Sequence, residues 1–406
     1  MYIPRETQDT WLRIDRQFPV LLLTGPRQVG KTTLLRQLCG QERSYVTLDD
    51  PDARVLAQED PKLFLQRFPA PILIDEVQYA PQLLPLIKMA CDSSGKAGLF
   101  WLTGSQQFHL MRGISESLAG RVAILNLLGF SQAERHRLDL GGEPFLPSAD
   151  IIRGRQSTRP ARGVNDLYQD IFTGAFPALI AAQRDRNVFY SSYLQTYLQR
   201  DVKDLAQVGD EAAFVRFVKA CAARTAQMLN LTELARDVDI SVNTAKNWLS
   251  ILQTSFQVVL LQPYHANVTK RLVKTPKLYF LDTGLCAYLT EWASPQTLSA
   301  GAMAGAILES FVLGELLKSW WHRGRQPSLY YYRDREGGEV DFVFVQDQRL
   351  YPVEVKRSAQ IRREWADVFR PLDGLDLPLA QGCVACMCDQ AMPLTPCLQA
   401  MPVSYL

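Results

Sequence analysis

The sequence predicts a multi-domain α/β chain. Residues 1–140 read as a P-loop domain on a parallel sheet, 141–225 as a loop and helical lid region, 226–285 as a winged helix-turn-helix, and 296–406 as a second α/β domain. Three observations carry this reading. Five apolar runs alternate with helical patterns over residues 18–140, two capped helices precede a basic hairpin, and a long apolar helix leads into strand-like runs near the end.

A chain of 406 residues exceeds one ordinary core, so several domains are expected. Hydrophobic content of 47% with 21% charged residues fits a globular protein and excludes a disordered or collagen-like one. A net charge of +2 leaves any nucleic-acid affinity to local basic patches. No apolar run approaches the roughly 20 residues that span a bilayer, and the N-terminus lacks a signal-peptide core, so no membrane partner and a cytoplasmic location are expected. Cys39, Cys91, Cys221 and Cys286 are scattered singly and read as reduced, buried thiols. The cluster Cys383, Cys386, Cys388 and Cys397 has one C-x-x-C spacing but alternates like a strand with no histidine near it, which disfavours zinc.

In the first domain "PVLLLTG", "SYVTLDD", "PILIDE", "GLFWLTGS" and "VAILNLL" are too uniformly apolar for a half-solvated sheet. Gly25-Pro26-Arg27-Gln28-Val29-Gly30-Lys31-Thr32, followed by Thr33, fits G-x-x-x-x-G-K-[ST] between a strand and a helix. Its glycines let backbone N–H groups and a helix N-terminus face phosphates. Lys31 suits the β- and γ-phosphates of ATP, and Thr32 suits Mg²⁺. "PILIDE" brings Asp75 and Glu76 to the carboxyl edge of the sheet, Asp75 for the magnesium shell and Glu76 to orient or deprotonate the attacking water. "LTGSQQ" sets Ser105 and Gln106 beside the γ-phosphate position. Arg121, entering the next strand, reads either as a transition-state arginine acting in trans between stacked subunits or as a helix-terminal dipole partner.

"GGEPFLPSADIIRGRQSTRPARG" is Gly/Pro/Arg-rich and reads as an exposed loop or hinge, and residues 165–225 as helical. In "LTELARDVDISVNTAKNWLSIL", Thr232 and Ser241 are candidate helix caps. The second helix displays Asn243, Thr244, Lys246 and Asn247 and buries Ala245, Trp248, Leu249 and Leu252. The stretch between the next two strands offers Lys270, Arg271, Lys274 and Lys277 to a DNA backbone. Winged units also serve as protein docking or packing modules.

Together "YIPRE", "GPRQVGKTT", "LIDEVQ", "LTGSQ" and "SLAGRV" resemble the AAA+-type ATPase domain of a family of predicted prokaryotic ATPases. "GAFP", "YLQRDV", "NLTELARDVDIS", "KRLVKTPKLYFLDTGL", "ESFVLGELLK", "YYRDREGGEVDFV" and "PVEVK" are similar to the C-terminal domain of unknown function usually paired with that module. The resemblance implies an ATPase using ATP and Mg²⁺. The AAA+ sensor position is often asparagine, where this chain has Ser105 and Gln106.

In "GEVDFVFVQDQRLYPVEVK" alternation puts Glu339, Asp341, Val343 and Val345 on one face and Val340, Phe342 and Phe344 on the other. Glu354 and Lys356 share a face of the next strand. A hairpin through "QDQR" gathers Asp341, Glu354 and Lys356, and this resembles the PD-(D/E)xK nuclease core of restriction-endonuclease-like domains. There the carboxylates hold Mg²⁺ and the lysine positions or activates water. Glu309, interrupting the apolar face of "AILESFVL", adds a fourth member. The same residues allow an active nuclease, a DNA-binding but inactive site under ATP control, or an ion-pair network at a domain interface. A signalling ATPase docking a protein partner or further copies of itself is the alternative to a DNA-directed one.

Overall fold

In the computed structural model, residues 2–104, 114, 117–197, 210–265 and 275–406 are described. The five apolar runs of the first domain all become strands: β1 (Val20–Thr24), β2 (Ser44–Thr47), β3 (Ile72–Asp75), β4 (Phe100–Thr103) and β5 (Val122–Asn126). They form one parallel sheet in the order β2-β3-β4-β1-β5. Every residue of β1, β3 and β4 is buried, as the runs require, while β2 and β5 at the edges are partly exposed because each lacks one neighbour. Helices α1 (Thr7–Asp15), α2 (Lys31–Leu38), α3 (Pro51–Glu59), α4 (Pro61–Arg67) and α5 (Leu83–Ser94) accompany the strands. Asp50 and Asp60 cap α3 and α4 by accepting bonds from backbone N–H groups of their first turns. A one-turn helix α6 (Gln132–Arg135), with a Ser131/Glu134 capping box, follows β5.

The stretch read as an exposed loop is partly helical, and though much of it is exposed it is anchored at several buried positions. Its centre is helix α7 (Ala149–Thr158), capped by Ser148, and Phe145 before it is fully buried. Arg155 and Arg159 are buried and donate to the carbonyls of Tyr405 and Leu406, so their guanidinium groups satisfy backbone acceptors where composition suggested solvent. Helices α8 (Val164–Thr173), α9 (Pro177–Ile180), α10 (Arg186–Tyr197) and α11 (Glu211–Ala223) then supply the expected helical region.

The next unit holds β6 (Gln227–Met228), α12 (Leu231–Asp237), α13 (Val242–Thr254), β7 (Val258–Leu261) and β8 (Lys277–Phe280), with a small antiparallel sheet ordered β6-β8-β7. Ser241 caps α13 as expected, whereas α12 is capped by Asn230 and not Thr232. Helix α13 buries Ala245, Trp248, Leu249 and Leu252 and exposes Asn243, Lys246 and Asn247; Thr244 is half-buried because its hydroxyl turns back to Ser241.

After α14 (Thr283–Leu289) and α15 (Pro295–Ala300), the long helix α16 (Ala304–Trp321) packs against a six-stranded mixed sheet. Its strands β9 (Leu329–Arg333), β10 (Glu339–Gln346), β11 (Arg349–Lys356), β12 (Gly382–Cys386), β13 (Met392–Pro393) and β14 (Leu398–Pro402) are ordered β13-β14-β12-β11-β10-β9. The predicted hairpin through "QDQR" forms, and because Gln346 pairs with Arg349 it closes on a two-residue turn in which Asp347 and Gln348 both take left-handed φ. The alternation along β10 fails at one place. A register irregularity against β9 between Val340 and Val343 puts Val340 in one apolar cluster with Val343, while Phe342 and Phe344 join the other. The eight cysteines are free; Cys383 and Cys386 are buried in β12 and only Cys397 is exposed. Among the described residues no helix is long and apolar enough to cross a membrane.

Candidate functional site

The glycine loop follows β1 at the carboxyl edge of the first sheet. Gly25 has φ of 146°, and a Cβ there would lie 2.0 Å from the Leu127 carbonyl oxygen, so only glycine passes this point. Gly30, at φ 90°, opens α2 and points the helix N-terminus into a cleft of about 500 Å³. Arg27, Gln28, Gly30, Lys31, Thr32, Thr33 and Glu76 line that cleft, as do Pro177, Tyr193 and Thr196 from α9 and α10. Lys31 is buried and donates to the carbonyls of Gly25 (3.0 Å) and Pro26 (2.7 Å), oxygens that stand where phosphate oxygens would compete for the ammonium.

Asp75 ends β3 directly behind the loop. Its carboxylate accepts from Thr32 Oγ1 at 2.9 and 3.0 Å, from Tyr45 OH at 3.3 Å, and from the Thr103 hydroxyl. Burial pushes its pKa above the usual carboxylate range, and the bonds from Thr103 and Thr32 oppose that shift. A buried carboxylate bonded to a hydroxyl is an oxygen donor pair that fits a divalent ion. Glu76 follows in the left-handed region at φ 56°, a backbone cost for a non-glycine residue that turns its carboxylate into the cleft, where the Gln78 amide donates to it. Tyr45, Thr103, Pro177, Tyr193 and Thr196 were not singled out by sequence. Thr103 ends a strand beside Asp75, a legible position; the others come from distant segments whose approach only the fold reveals.

Two expectations meet the structure differently. Ser105 and Gln106 lie outside the described residues. Arg121 is at the amino edge of the sheet, where its carbonyl accepts from Val20 N–H, at the end of β1 opposite Gly25. Its guanidinium is exposed and paired with Asp92 of α5, Nη2 to Oδ2 at 3.1 Å. It does not line the nucleotide cleft of its own chain, because it enters β5 at the edge of the sheet opposite the phosphate loop.

The C-terminal acids gather around two lysines. Lys277 is 3% exposed, so it is not on a DNA-facing tip: β8 carries it inward, against α16 and β10. Its ammonium lies 3.1 Å from Glu309 and 2.5 Å from Glu339, and Tyr279 donates to Glu309 at 2.6 Å. Asp341 accepts from Val355 N–H (2.9 Å), and its own N–H donates to Glu354 at 3.3 Å. Lys356 pairs with Glu354 at 2.6 Å. Burial and the charge of Asp341 raise Glu309 to about 7 and Glu354 to about 8, and burial raises Asp341 as well. Burial works against the Lys277 charge, but Glu309 and Glu339 overcome it and hold its pKa above the ordinary lysine value. Each acid pair already has a cation. Among the described residues no three His, Cys, Asp or Glu side chains stand close enough to share a metal ion. The predicted residues are thus brought together, with Lys277 and Glu339 added, as an ion-pair network. Lys270, Arg271 and Lys274 lie outside the described residues.

A family model described as an AAA domain matches residues 17–136. Models described as domains of unknown function, DUF8612 and DUF4143, match residues 164–296 and 304–406. The "Uncharacterized protein Rv2008c" of Mycobacterium tuberculosis is 32% identical over 409 residues, covering 99% of this chain and 84% of that protein; "Uncharacterized protein Mb2031c" of Mycobacterium bovis matches to the same extent. The chain belongs to this family. It is an AAA-type P-loop ATPase with a C-terminal DUF4143 domain. Among solved structures it is similar to a Walker-type ATPase of Pyrococcus abyssi, at 16% identity and TM-score 0.40, covering 70% of this chain and 94% of that one. The RuvB Holliday junction branch migration motor of Thermotoga maritima gives 16% identity and TM-score 0.29, covering 63% and 89%. The phosphate loop and the Asp75–Glu76 strand end both lie within the residues that the AAA model matches.

Proposed function

We propose that this ATPase couples its nucleotide state to DNA binding through the unit at residues 226–285. The supporting observation is that one face of α13 turns Asn243, Lys246 and Asn247 outward, directly before a hairpin whose connection contains Lys270, Arg271 and Lys274. Two helices, a three-stranded sheet and a basic connection make a winged helix, with α13 as the recognition helix and the connection as the backbone-contacting wing. At the ATPase site Lys31 and the loop N–H groups bind the phosphates. Thr32 and Asp75 hold Mg²⁺, which offsets charge on the transferring phosphoryl group, and Glu76 aligns the water and takes its proton. Ser105, two residues after β4, serves as the sensor, and Arg121, turned away from its own cleft, acts in trans.

The last domain, with α16 before three antiparallel strands and a parallel return, is of PD-(D/E)xK type. Lys277 and Lys356 neutralise its acids, which favours a regulatory role over cleavage. With Lys277 in place, duplex DNA incubated with Mg²⁺ or Mn²⁺ and ATP is expected to remain intact. A duplex-binding titration over a KCl series tests the main reading. Log affinity should fall steeply with log salt, and alanine at Lys270, Arg271 and Lys274 should reduce the slope by about 3, near one unit per lost phosphate contact. Binding with an unchanged slope in the triple variant contradicts DNA contact by the wing.

A further inference from the structure

The N-terminal "YIPRE" has no place in the chemistry described so far, yet its arginine is among the most bonded side chains of the molecule. Arg5 is 4% exposed. Its Nη1 donates to the Val29 carbonyl at 2.8 Å, inside the phosphate loop. Its Nη2 donates to the Leu128 carbonyl at 2.7 Å, Nε to Glu134 at 3.0 Å, and the guanidinium lies over the Phe130 ring, 4.7 Å from its centre. A planar fork of five donors makes such a junction, and a lysine cannot.

The bond to Val29 has a consequence for phosphate binding. In a trans peptide the C=O and N–H vectors are antiparallel within one rigid plane. Fixing the Val29 carbonyl on Arg5 therefore fixes the direction of the Gly30 N–H, on the opposite side of that plane. Gly30 lines the nucleotide cleft. Arg5 thereby sets an N–H that faces the phosphates without touching them itself.

The segment gripped by Arg5 is also gripped from its other side by α16 and the residue after it. Lys318 Nζ donates to the Phe130 carbonyl at 3.0 Å, and Gln132 N–H donates to Glu315 at 3.0 Å. Leu128 N–H donates to His322 Nε2 at 3.2 Å. These contacts are buried. We propose that Arg5 is a positioning residue for the phosphate loop and that the same guanidinium links the loop, through residues 128–134, to α16 of the C-terminal domain. This link belongs to the ATPase and is independent of any DNA contact.

Two measurements test it. In the unaltered chain, hydrogen exchange is compared with and without a non-hydrolysable ATP analogue. Slower exchange on binding is expected in residues 128–134 and in α16 as well as in the phosphate loop; unchanged exchange in both distant segments overturns the proposal. The second uses Arg5→Lys beside Arg323→Gln, which removes another interdomain bond (Arg323 Nη1 to Glu6, 2.7 Å) without contact to the loop. Arg5→Lys should raise nucleotide Kd and KM by about tenfold, in line with one lost charged hydrogen bond, with kcat changing less, and should abolish the α16 response. Arg323→Gln should leave Kd and KM near the wild-type values. Equal Kd values for Arg5→Lys and wild type, or an equal Kd rise in both variants, overturns the positioning role.

Discussion

Replacing Glu76 by glutamine is expected to lower ATP turnover by about 10²–10⁴-fold, the usual weight of one positioned general base, while nucleotide binding persists. The reasoning is geometric. Lys31 and Thr32, the latter bonded to Asp75 behind it, form the binding side of the cleft and are untouched by the change, whereas Glu76 faces the cleft from the end of β3. The left-handed backbone at φ 56° is unfavourable for glutamine as for glutamate, so the variant keeps the same turn. Measured turnover near wild type, with nucleotide affinity retained, removes Glu76 from the role of base.

Replacing Lys277 by alanine is expected to destabilise the chain by up to about 3–5 kcal/mol, because it takes the ammonium from the buried Glu309 and leaves it only the Tyr279 hydroxyl among the described contacts, while Glu339 keeps Arg333. Adding Glu309→Gln should recover part of the loss, since a neutral amide needs no counter-ion. The same network sets a pH dependence. Glu309 and Glu354 titrate near 7 and 8 when folded, above their ordinary 4.5, so the folded chain binds more protons than the unfolded one across that window. Their contribution is fully present below about pH 4.5 and is lost as pH rises through 7 and 8. Denaturant midpoints over this range should decline with rising pH in wild type, and the decline should flatten in Glu309→Gln/Glu354→Gln. A midpoint for Lys277→Ala equal to wild type contradicts this role of Lys277.

The nucleotide half of the chain was readable because its signals are local. A glycine that only glycine can be, a helix opening at Lys31 and an apolar strand ending in Asp75 all follow from short stretches. Lys277 was misread for the opposite reason. It sits in a basic run, and only the pairing of β8 with β7 and its packing against α16 turn it inward to meet Glu309 and Glu339. The register irregularity between Val340 and Val343 likewise breaks an alternation that one strand alone predicts, since register is a property of the pair. Arg155 and Arg159 looked like solvent-facing charges until the carbonyls of Tyr405 and Leu406 supplied acceptors from the far end of the chain. Short motifs reveal chemistry, whereas long-range partners decide whether a charge is a ligand, a counter-ion or a clamp.

ATP turnover measured at low salt with and without duplex DNA tests the coupling of nucleotide state to DNA most directly. The account predicts that DNA stimulates turnover in the wild-type chain and that the Lys270/Arg271/Lys274 alanine variant keeps its basal rate but loses the stimulation. Equal turnover with and without DNA, alongside stimulation by a protein partner, contradicts it.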